Sequence, residues 1–268
     1  MTRPYAEVIG DPIAQSKSPL IHNFWLAKLG IAADYRAAHV TPEGLGSYFA
    51  ARRLDPAWRG CNVTMPHKQA VMGLIDRIDA VVARVGAVNT VVRSGDGTIV
   101  GYNTDVAGFL EPFGQIRFQT VSVIGAGGAA RAVLAGLADR GIASVTLQNR
   151  SLDKAEALIG EFGLRGPVVS PGEAIAPVEL LVNTSSLGMV GHPAMPAVER
   201  YVIEGGTVYD IVTHPLDTQL LQNARAQGLR TIDGLAMLIG QAAAAFEMFF
   251  GEPAPRQHDA ELRALLTA

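Results

Sequence analysis

The chain has 268 residues, of which 49% are apolar and 18% are charged, and its formal net charge at pH 7 is −3. This length allows one large or two modest domains with a buried core, and the dispersed basic residues exclude a footprint for nucleic acid or an anionic membrane. The single cysteine, Cys61, cannot form an internal disulfide, the first residues lack the apolar core of a signal peptide, and the six histidines show no metal-ligand spacing. We therefore expect a cytoplasmic protein that takes a small-molecule substrate and uses no metal.

Strand and helix patterns alternate along the first hundred residues. A strand at residues 5–9 ends at a turn over residues 10–12. Ser18 then supplies the N-cap and Pro19 the first position of a helix that stops at Gly30. The further elements expected are a strand at 35–40, a helix opened by Thr41-Pro42, a strand at 60–64, a helix from Pro66, and strands at 86–92 and 98–102 joined as an antiparallel hairpin.

From residue 121 the pattern becomes that of a nucleotide-binding domain. The elements expected there are strands at 121–124, 144–148, 179–182, 207–211 and 229–232, and helices at 129–139, from Gly234, and around 260–266. Strands alternate with helices on both sides of Phe113, which predicts two α/β domains with the cleft between them as the default ligand site.

One segment places an ammonium group beside several short hydrogen-bonding side chains. Residues 62–68 read NVTMPHK, and Pro66 suits the first turn of a helix. Lys68 would then lie at the positive end of that helix, where an ammonium gives up its proton more readily. Lys68 could therefore act as an acid or base, and a solvated surface lysine ahead of an amphipathic helix is the alternative.

A glycine turn connects the strand at 121–124 with the following helix. Its small residues match the dinucleotide pattern, with alanine in the third small position. Glycine allows the tight turn and the close approach of backbone to a pyrophosphate, while the helix N-terminus offers N–H donors. The alternative is a loop that only packs the βαβ unit. The residues that would bind the phosphates are Gly125, Ala126, Gly127, Gly128 and Ala129.

The end of the next strand bears on the choice of cofactor. An NAD-binding domain is expected to carry Asp or Glu there, whereas this chain has Asn149, Arg150 and Ser151. Arg150 can clamp a 2′-phosphate and its neighbours can donate to it, which favours NADP. Asp153 keeps NAD possible, and an ordinary exposed arginine at the start of a helix is the alternative for Arg150.

Four polar residues are weaker candidates when taken singly. Asp105 lies where a carboxylate can cap a helix, and Asn89 is a polar residue inside a strand of small and β-branched residues. Ser16 and Ser18 offer two hydroxyls, although Ser18 also fits a helix cap.

Taken in order, these segments resemble the shikimate dehydrogenase family, which includes the quinate dehydrogenases. The resemblance covers nearly the whole chain, and its first, second and fourth segments are specific to the family, whereas the glycine turn is widely shared. The segments are SKSPLIHN at 16–23, NVTMPHK at 62–68, GAVNT at 86–90, YNTD at 102–105, the glycine turn, NR at 149–150, NTS at 183–185 with GM at 188–189, and ML at 237–238 with Gln241.

The resemblance implies a substrate-binding domain with a mainly parallel sheet over residues 1–103 plus 236–268, and an NADP-binding domain of the Rossmann type over 104–235. It also implies that Lys68 and Asp105 form the catalytic pair, while a monomer and a homodimer both stay open. The implied substrate contacts are Ser16, Ser18, Asn62, Thr64, Asn89 and Gln241. Besides the glycine turn and residues 149–151, the implied cofactor contacts are Thr184, Ile211, Gly234 and Met237.

Two residues depart from the pattern of the family. Thr213 stands where members usually carry a tyrosine that lines the substrate pocket, and Ala236 stands where glycine is usual near the nicotinamide. The serines at 16 and 18 favour shikimate over quinate. A paralogue that acts on quinate or a related acid, with NADP or NAD, therefore stays open beside the shikimate enzyme. A non-catalytic module that senses ligands is a third hypothesis, and the retained lysine and aspartate argue against it.

Overall fold

The computed structural model describes residues 3–268, which form two compact units. The first unit contains the residues up to Thr104 together with Ile239–Ala268, and the second is Asp105–Leu238. Each unit is built on a six-stranded sheet. The domain boundaries predicted from the sequence, after residues 103 and 235, lie close to these positions. The functions of the two units stay a prediction.

The first unit has a mixed sheet whose strand order is β2-β1-β3-β5-β6-β4. Its elements are β1 (Tyr5–Gly10), α1 (Ser18–Leu29), β2 (Asp34–His39), α2 (Leu45–Arg53), β3 (Trp58–Val63), a 3-10 helix (Ala70–Gly73), β4 (Arg77–Ile78), α3 (Ala80–Val85), β5 (Thr90–Arg93) and β6 (Ile99–Tyr102). Strand β1 is parallel to β2 and β3, and β4 is parallel to β6, whereas β5 is antiparallel to both β3 and β6. The predicted hairpin in a mainly parallel sheet is therefore confirmed.

Both faces of this sheet are covered by apolar side chains. On one face, Trp58 and Cys61 pack with Phe49 of α2. On the other face, Ala6 and Val8 pack with aromatic residues of the C-terminal helices. In β1 this follows from the period of two, which sends successive side chains to opposite faces. In β3 a shift of register lets Trp58 and Cys61, three positions apart, share one face.

The predicted starts of α1 and α2 are wrong. Lys17 and not Ser18 is the N-cap of α1, because the Lys17 carbonyl accepts the first helical bond from Ile21 N–H at 3.2 Å. Helix α2 does not open at Thr41-Pro42, because Gly44 N–H donates to the Thr41 carbonyl at 3.0 Å and closes a turn before the helix begins.

The predicted strand at 86–92 begins later than expected. Gly86, at φ 67°, is the left-handed C-cap of α3, a short helix that the sequence analysis missed. The carboxylate of Asp79 caps the start of α3 by accepting from Val82 N–H at 2.7 Å. Asn89 consequently lies just before β5 and not inside it.

The second unit has an all-parallel sheet of strand order β12-β11-β10-β7-β8-β9. Its elements are α4 (Asp105–Leu110), a 3-10 helix (Glu111–Phe113), β7 (Val121–Ile124), α5 (Gly128–Asp139), β8 (Val145–Gln148), α6 (Leu152–Glu161), β9 (Val168–Val169), β10 (Val178–Asn183), a 3-10 helix (Glu199–Tyr201), β11 (Val202–Asp210), α7 (Gln219–Ala226) and β12 (Arg230–Ile232). Helix α8 (Gly234–Phe250) begins in this unit and ends in the first, where a 3-10 helix (Arg256–His258) and α9 (Asp259–Thr267) follow. The predicted Rossmann-type order of elements is confirmed.

Candidate active site

Lys68 lies in a turn, so the predicted helix from Pro66 is wrong. The Met65–Pro66 peptide bond is cis, and His67 N–H donates to the Thr64 carbonyl at 3.0 Å to close the turn. The Lys68 carbonyl accepts from Val88 N–H at 2.7 Å and is therefore not available to a helix of its own. The helix-dipole argument for the acidity of Lys68 does not hold.

The turn that carries Lys68 is fixed to the carboxyl ends of β1 and β2. His67 is buried, and its Nε2 donates to the Val40 carbonyl at 2.6 Å. Thr64 N–H donates to the Ile9 carbonyl at 3.0 Å, and its methyl group would lie only 2.5 Å from a Cβ at Gly10. Gly10 is therefore required for the close approach of the two segments.

The segment at residues 11–18, which carries Ser16 and Ser18 and is called the serine loop, joins the same edge of the sheet. Asp11 N–H donates to the Met65 carbonyl at 3.0 Å, which ties the start of the loop to the lysine turn. Ser18 N–H donates to Ser16 Oγ at 3.3 Å. Lys17, between the two serines, sends its ammonium to the Leu266 carbonyl of α9 at 2.5 Å.

Asn62 and Asn89, both predicted substrate contacts, are joined by a buried polar network. Asn62 Nδ2 donates to Thr90 Oγ1 at 3.0 Å and to the Asn89 carbonyl at 3.4 Å. Asn89 Oδ1 accepts from Thr104 N–H at 2.7 Å. The segments 11–18, 62–68 and 88–90, which are far apart in sequence, are thus connected by hydrogen bonds within one unit.

The predicted catalytic residue Asp105 and the predicted substrate contact Gln241 lie on helices. Asp105 is buried and is the first residue of α4, so the helix begins one position earlier than expected. Gln241 is partly exposed on α8. Thr90 and Thr104 also belong to the polar network, although neither was predicted. The signal for them was their place in sequence beside Asn89 and Asp105.

The glycine turn of the second unit follows β7, as predicted. Gly125 has a φ of +106°, and a Cβ there would lie 2.8 Å from Thr184 Oγ1. The Thr184 hydroxyl itself donates to the Ile124 carbonyl at 2.6 Å. Thr184 therefore holds the ends of β7 and β10 together. Its hydroxyl leaves no room for a side chain at position 125, so glycine is required there.

Gly127 is the N-cap of α5 and differs from Gly125 in its surroundings. Its φ of −94° is open to any residue, and a Cβ there would meet nothing within 4 Å. The protein itself does not require glycine at this position. An open helix N-terminus without a side chain fits the close approach of a dinucleotide phosphate, and Ala126, Gly128 and Ala129 complete the predicted turn.

The predicted 2′-phosphate residues follow the end of β8. Asn149 Nδ2 donates to the Ser151 carbonyl at 2.9 Å, and Ser151 is the N-cap of α6. The Arg150 side chain is exposed, and within residues 3–268 its guanidinium has no hydrogen bond or ion pair. Arg150 can therefore receive an anionic group from solution.

The remaining predicted cofactor contacts follow the last two strands of the second unit. They are Ile211, just after β11, and Gly234 and Met237, at the start of α8. Ile211 N–H donates to the Asn183 carbonyl at 3.1 Å. A Cβ at Gly234 would lie 2.4 Å from the Val212 carbonyl oxygen, so glycine is required for the start of α8 to pack on this segment. Met237 is buried in the first turns of α8.

A second polar cluster that the sequence analysis missed fixes the ends of β10 and β11. Asp210 is fully buried and accepts from Thr218 Oγ1 at 2.7 Å and from Asn183 Nδ2 at 2.9 Å. Burial raises the pKa of Asp210, while these bonds oppose the rise. Polar residues at the ends of two neighbouring buried strands were the available signal.

The two departures from the family pattern are accessible to solvent. Thr213 is partly exposed and precedes the exposed His214, whose carbonyl accepts from Val190 N–H at 3.0 Å. Ala236 is partly exposed in the first turn of α8.

Neither a metal centre nor a membrane span is found among residues 3–268. No group of three histidine, cysteine, aspartate or glutamate side chains in this part of the chain could hold a metal ion. The same residues contain no helix long and apolar enough to cross a bilayer.

The two sheets, one of them all-parallel with a glycine turn after β7, define the class of two-domain α/β proteins with a Rossmann-type unit. Three family descriptions match the chain: shikimate dehydrogenase substrate binding domain at residues 8–91, shikimate / quinate 5-dehydrogenase at 110–176, and shikimate 5'-dehydrogenase C-terminal domain at 234–261. The chain belongs to the shikimate dehydrogenase family.

Relatives of similar length support this membership. A shikimate dehydrogenase (NADP(+)) of Sphingopyxis alaskensis is 55% identical, over 99% of this chain and 97% of its own length. A protein of the same name from Rhodopseudomonas palustris is 44% identical, over 97% of this chain and 94% of its own length.

Two solved structures of similar fold are enzymes named for different substrates. Shikimate 5-dehydrogenase of Thermus thermophilus, in complex with NADP(H) and shikimate, is 36% identical with a TM-score of 0.88, and the match covers 98% of this chain and 99% of that one. The 5-ketofructose reductase of a Gluconobacter strain is 28% identical with a TM-score of 0.90, and the match covers 99% of both chains.

Proposed function

We propose that this chain is an NADP-dependent shikimate dehydrogenase, which interconverts shikimate and 3-dehydroshikimate by reversible hydride transfer. The observation that carries the proposal is its 55% identity, over 99% of the chain, to a relative of that name. The site supports it, because the segments of the family pattern in the first unit are hydrogen-bonded to one another. Such an enzyme would serve aromatic amino acid biosynthesis, in the chorismate pathway.

Lys68 and Asp105 are the proposed acid-base pair. When bound, NADP accepts or supplies the hydride. Oxidation of the substrate hydroxyl also releases a proton, which the Lys68 amine takes, and in the reduction the Lys68 ammonium returns a proton to the alkoxide oxygen. The Asp105 carboxylate would hold the ammonium in position and relay the proton.

The first unit is proposed to bind the substrate and the second to bind NADP. Hydroxyl and amide groups suit the hydroxyl and carboxylate groups of shikimate. The direct contacts proposed are Ser16, Ser18, Thr64, Asn89 and Gln241. Asn62 is also proposed as a contact, because it and Asn89 are both buried and hydrogen-bonded inside the protein, and this engagement does not separate them.

Arg150 is proposed to select NADP by pairing with the 2′-phosphate. Its exposed guanidinium supports this role. We expect Arg150→Ala to lower kcat/KM for NADP by roughly ten-fold or more, with little effect for NAD, since a charge-assisted contact is lost. Arg165→Ala, another exposed arginine of the same unit, is the control. An unchanged preference for NADP in Arg150→Ala would remove this role.

Replacement of Lys68 tests the chemistry. We expect Lys68→Ala to reduce kcat strongly with a modest change in shikimate binding, because the proton donor is lost. Lys68→Arg separates proton transfer from charge, since a guanidinium stays protonated, and it should also be inactive. Lys154→Ala, at an exposed position of α6, is the control. Turnover in Lys68→Ala equal to that of the wild type would reject the assignment.

A second candidate keeps the chemistry and changes the substrate. Two observations support a substrate other than shikimate. Thr213 stands where the family usually has tyrosine, and the chain is similar to a 5-ketofructose reductase. A quinate dehydrogenase of Corynebacterium glutamicum, in complex with NAD, is also similar, at 28% identity and a TM-score of 0.88. Comparing kcat/KM for shikimate and quinate, each with NADP and NAD, separates the candidates.

Failure of all hydride transfer would favour the non-catalytic module. The result that would favour it is purified protein that gives no NADP(H)-linked absorbance change with shikimate, quinate or 3-dehydroshikimate. A cytoplasmic location and a monomeric or homodimeric state stay predictions from the sequence.

A further inference from the structure

A directional chain of buried hydrogen bonds crosses the first unit. The Tyr35 phenol donates to Asn62 Oδ1 at 2.6 Å. Asn62 Nδ2 donates to Thr90 Oγ1 at 3.0 Å, and the Thr90 hydroxyl donates to Asn89 Oδ1 at 3.0 Å. Asn89 Nδ2 then donates to Thr104 Oγ1 at 3.0 Å. All five side chains are buried, so water does not compete for these bonds.

The phenol that starts this chain is held in place and always protonated. The Tyr35 ring stacks on the His22 imidazole with 3.9 Å between centroids and 3° between planes, and Phe249 packs at 6.2 Å. Burial raises the pKa of Tyr35 well above its ordinary value of 10.0. Tyr35 therefore donates a hydrogen bond at any physiological pH, and an oxygen must face it.

This donor and two acceptors together fix the Asn62 amide, because its Nδ2 donates to Thr90 Oγ1 and to the Asn89 carbonyl. The oxygen and nitrogen ends of an amide have nearly the same shape, so only the bonds fix the orientation. With the amide reversed, Asn62 Oδ1 would face Thr90 and compete for its single hydroxyl proton. It would also face the Asn89 carbonyl oxygen, so the bond from Asn62 to the Asn89 backbone would be lost.

We propose that Tyr35 is a positioning residue for substrate binding, which holds the Asn62 amide in place and acts on the position of Asn89 through the bonds of that amide to Thr90 Oγ1 and to the Asn89 carbonyl. The inference rests on the proposed function, because it takes Asn89 as a contact of shikimate. Tyr35 itself touches neither substrate nor cofactor in this role. Its hydroxyl holds the Asn62 amide, whose bond to the Asn89 carbonyl helps to hold the Asn89 backbone in place, while Thr104 N–H fixes the orientation of the Asn89 amide itself.

The first test is Tyr35→Phe, which keeps the ring stacked on His22 and removes only the hydroxyl. We expect KM for shikimate to rise on the order of five- to ten-fold, as for the loss of one buried hydrogen bond, with KM for NADP unchanged. Wild-type kinetic parameters in Tyr35→Phe would overturn the proposal.

Tyr5→Phe is the matched control in the same unit. The Tyr5 hydroxyl also donates at 2.6 Å, but its acceptor is Asp55 Oδ2, which lies outside the polar network. Both variants lose one donor from a buried tyrosine and should lose comparable stability. Only Tyr35→Phe should change KM for shikimate. An equal rise of KM in Tyr5→Phe would mean that the effect is only loss of stability, and would reject the proposal.

A double-mutant cycle tests the route through Asn62. If Tyr35 acts through this amide, Tyr35→Phe should have no further effect on KM in an Asn62→Ala background. Asn62→Ser serves the same purpose if the alanine variant does not fold. Additive effects would show that Tyr35 acts by another path and would refute the inference.

A measurement without substrate separates this inference from the proposed function. The side-chain NH2 signals of Asn62 and Asn89 in nitrogen-15 correlation spectra report the network directly. We expect both pairs of signals to shift in Tyr35→Phe and to stay in place in Tyr5→Phe. Wild-type protein without NADP-linked turnover would sink the proposed function alone, whereas an unmoved Asn89 signal in Tyr35→Phe would sink the positioning role.

Discussion

His22 should make the stability of the first unit depend on pH. Its side chain is completely buried and lies among the rings of Trp25, Tyr35, Phe246 and Phe249. Neither ring nitrogen has a hydrogen-bond partner within residues 3–268. Burial alone lowers the pKa of His22 from 6.5 to about 3, because the imidazolium has no water or counter-charge around it.

The size of the effect follows from this shift. The folded state releases the proton of His22 at a lower pH than the unfolded chain does. The stability due to the neutral imidazole is therefore fully present above pH 6.5 and is lost as pH falls towards about 3. At 1.36 kcal/mol for each pH unit, lowering the pH from 7.5 to 5.0 costs about 2 kcal/mol.

Tryptophan fluorescence is the suitable assay. The two tryptophans of the chain, Trp25 and Trp58, both lie in the first unit, so their emission reports its unfolding. Urea unfolding of the wild type and of His22→Leu at pH 7.5 and 5.0 gives a double difference in the free energy of unfolding. Groups that titrate in both proteins cancel from it, and we expect about 2 kcal/mol to remain.

A substitution on the same helix that removes no titrating group provides the control. Leu20 is exposed on α1 of the first unit, and Leu20→Ala should give a double difference near zero. If His22→Leu also gives a double difference below about 0.5 kcal/mol, the imidazole is not held neutral by burial, and the reasoning is wrong.

Three further changes test other contacts. Arg52→Met should cost about 3 kcal/mol in the urea unfolding of the first unit, because it leaves the buried Glu7 carboxylate without its two guanidinium bonds of 2.7 and 3.0 Å. Gly127→Ala should leave thermal stability unchanged but raise KM for NADP, since a methyl group would enter space that the protein does not use. Lys17→Met should raise KM for shikimate by roughly three-fold, because the serine loop loses its bond to the Leu266 carbonyl.

Matched controls accompany these three changes. Arg53→Met breaks the exposed pair with Asp76 and should cost less than about 1 kcal/mol. Gly160→Ala, in α6 with nothing near its Cβ, should leave KM for NADP unchanged. Lys28→Met removes another contact between α1 and α9, the ion pair with Glu261, and should leave KM for shikimate unchanged. Equal kinetic effects in a variant and its control would contradict the interpretation of that variant.

The parts of the fold that the sequence predicted are those with local signals. Strand β7 and helix α5 follow from a run of apolar residues, a glycine turn and a helical period, all within about twenty residues. The turn at Lys68 was mispredicted because its partner is Val88, twenty residues away, and no local pattern reports that bond. Helix α3 was missed although Asp79 and Gly86 are good caps, because its valines favour a strand.

The candidate site shows the same division between local and distant signals. The motifs identified Asn62 and Asn89, whose neighbours in sequence match the family pattern. They did not identify Tyr35, because its relation to Asn62 depends on β2 and β3 lying on either side of β1 in the folded sheet. A side chain that acts through a partner on another strand has no signature of its own in sequence.

The glycines of the second unit separate what the fold requires from what a ligand requires. Gly125 has a positive φ and a close neighbour in Thr184, and Gly234 has no room for a Cβ beside the backbone at Val212. A protein that kept this fold and bound nothing would still need both. Gly127 has an ordinary φ and an open Cβ position, so the fold alone gives no reason for its lack of a side chain. Its presence therefore supports dinucleotide binding in a way that the rest of the glycine pattern does not.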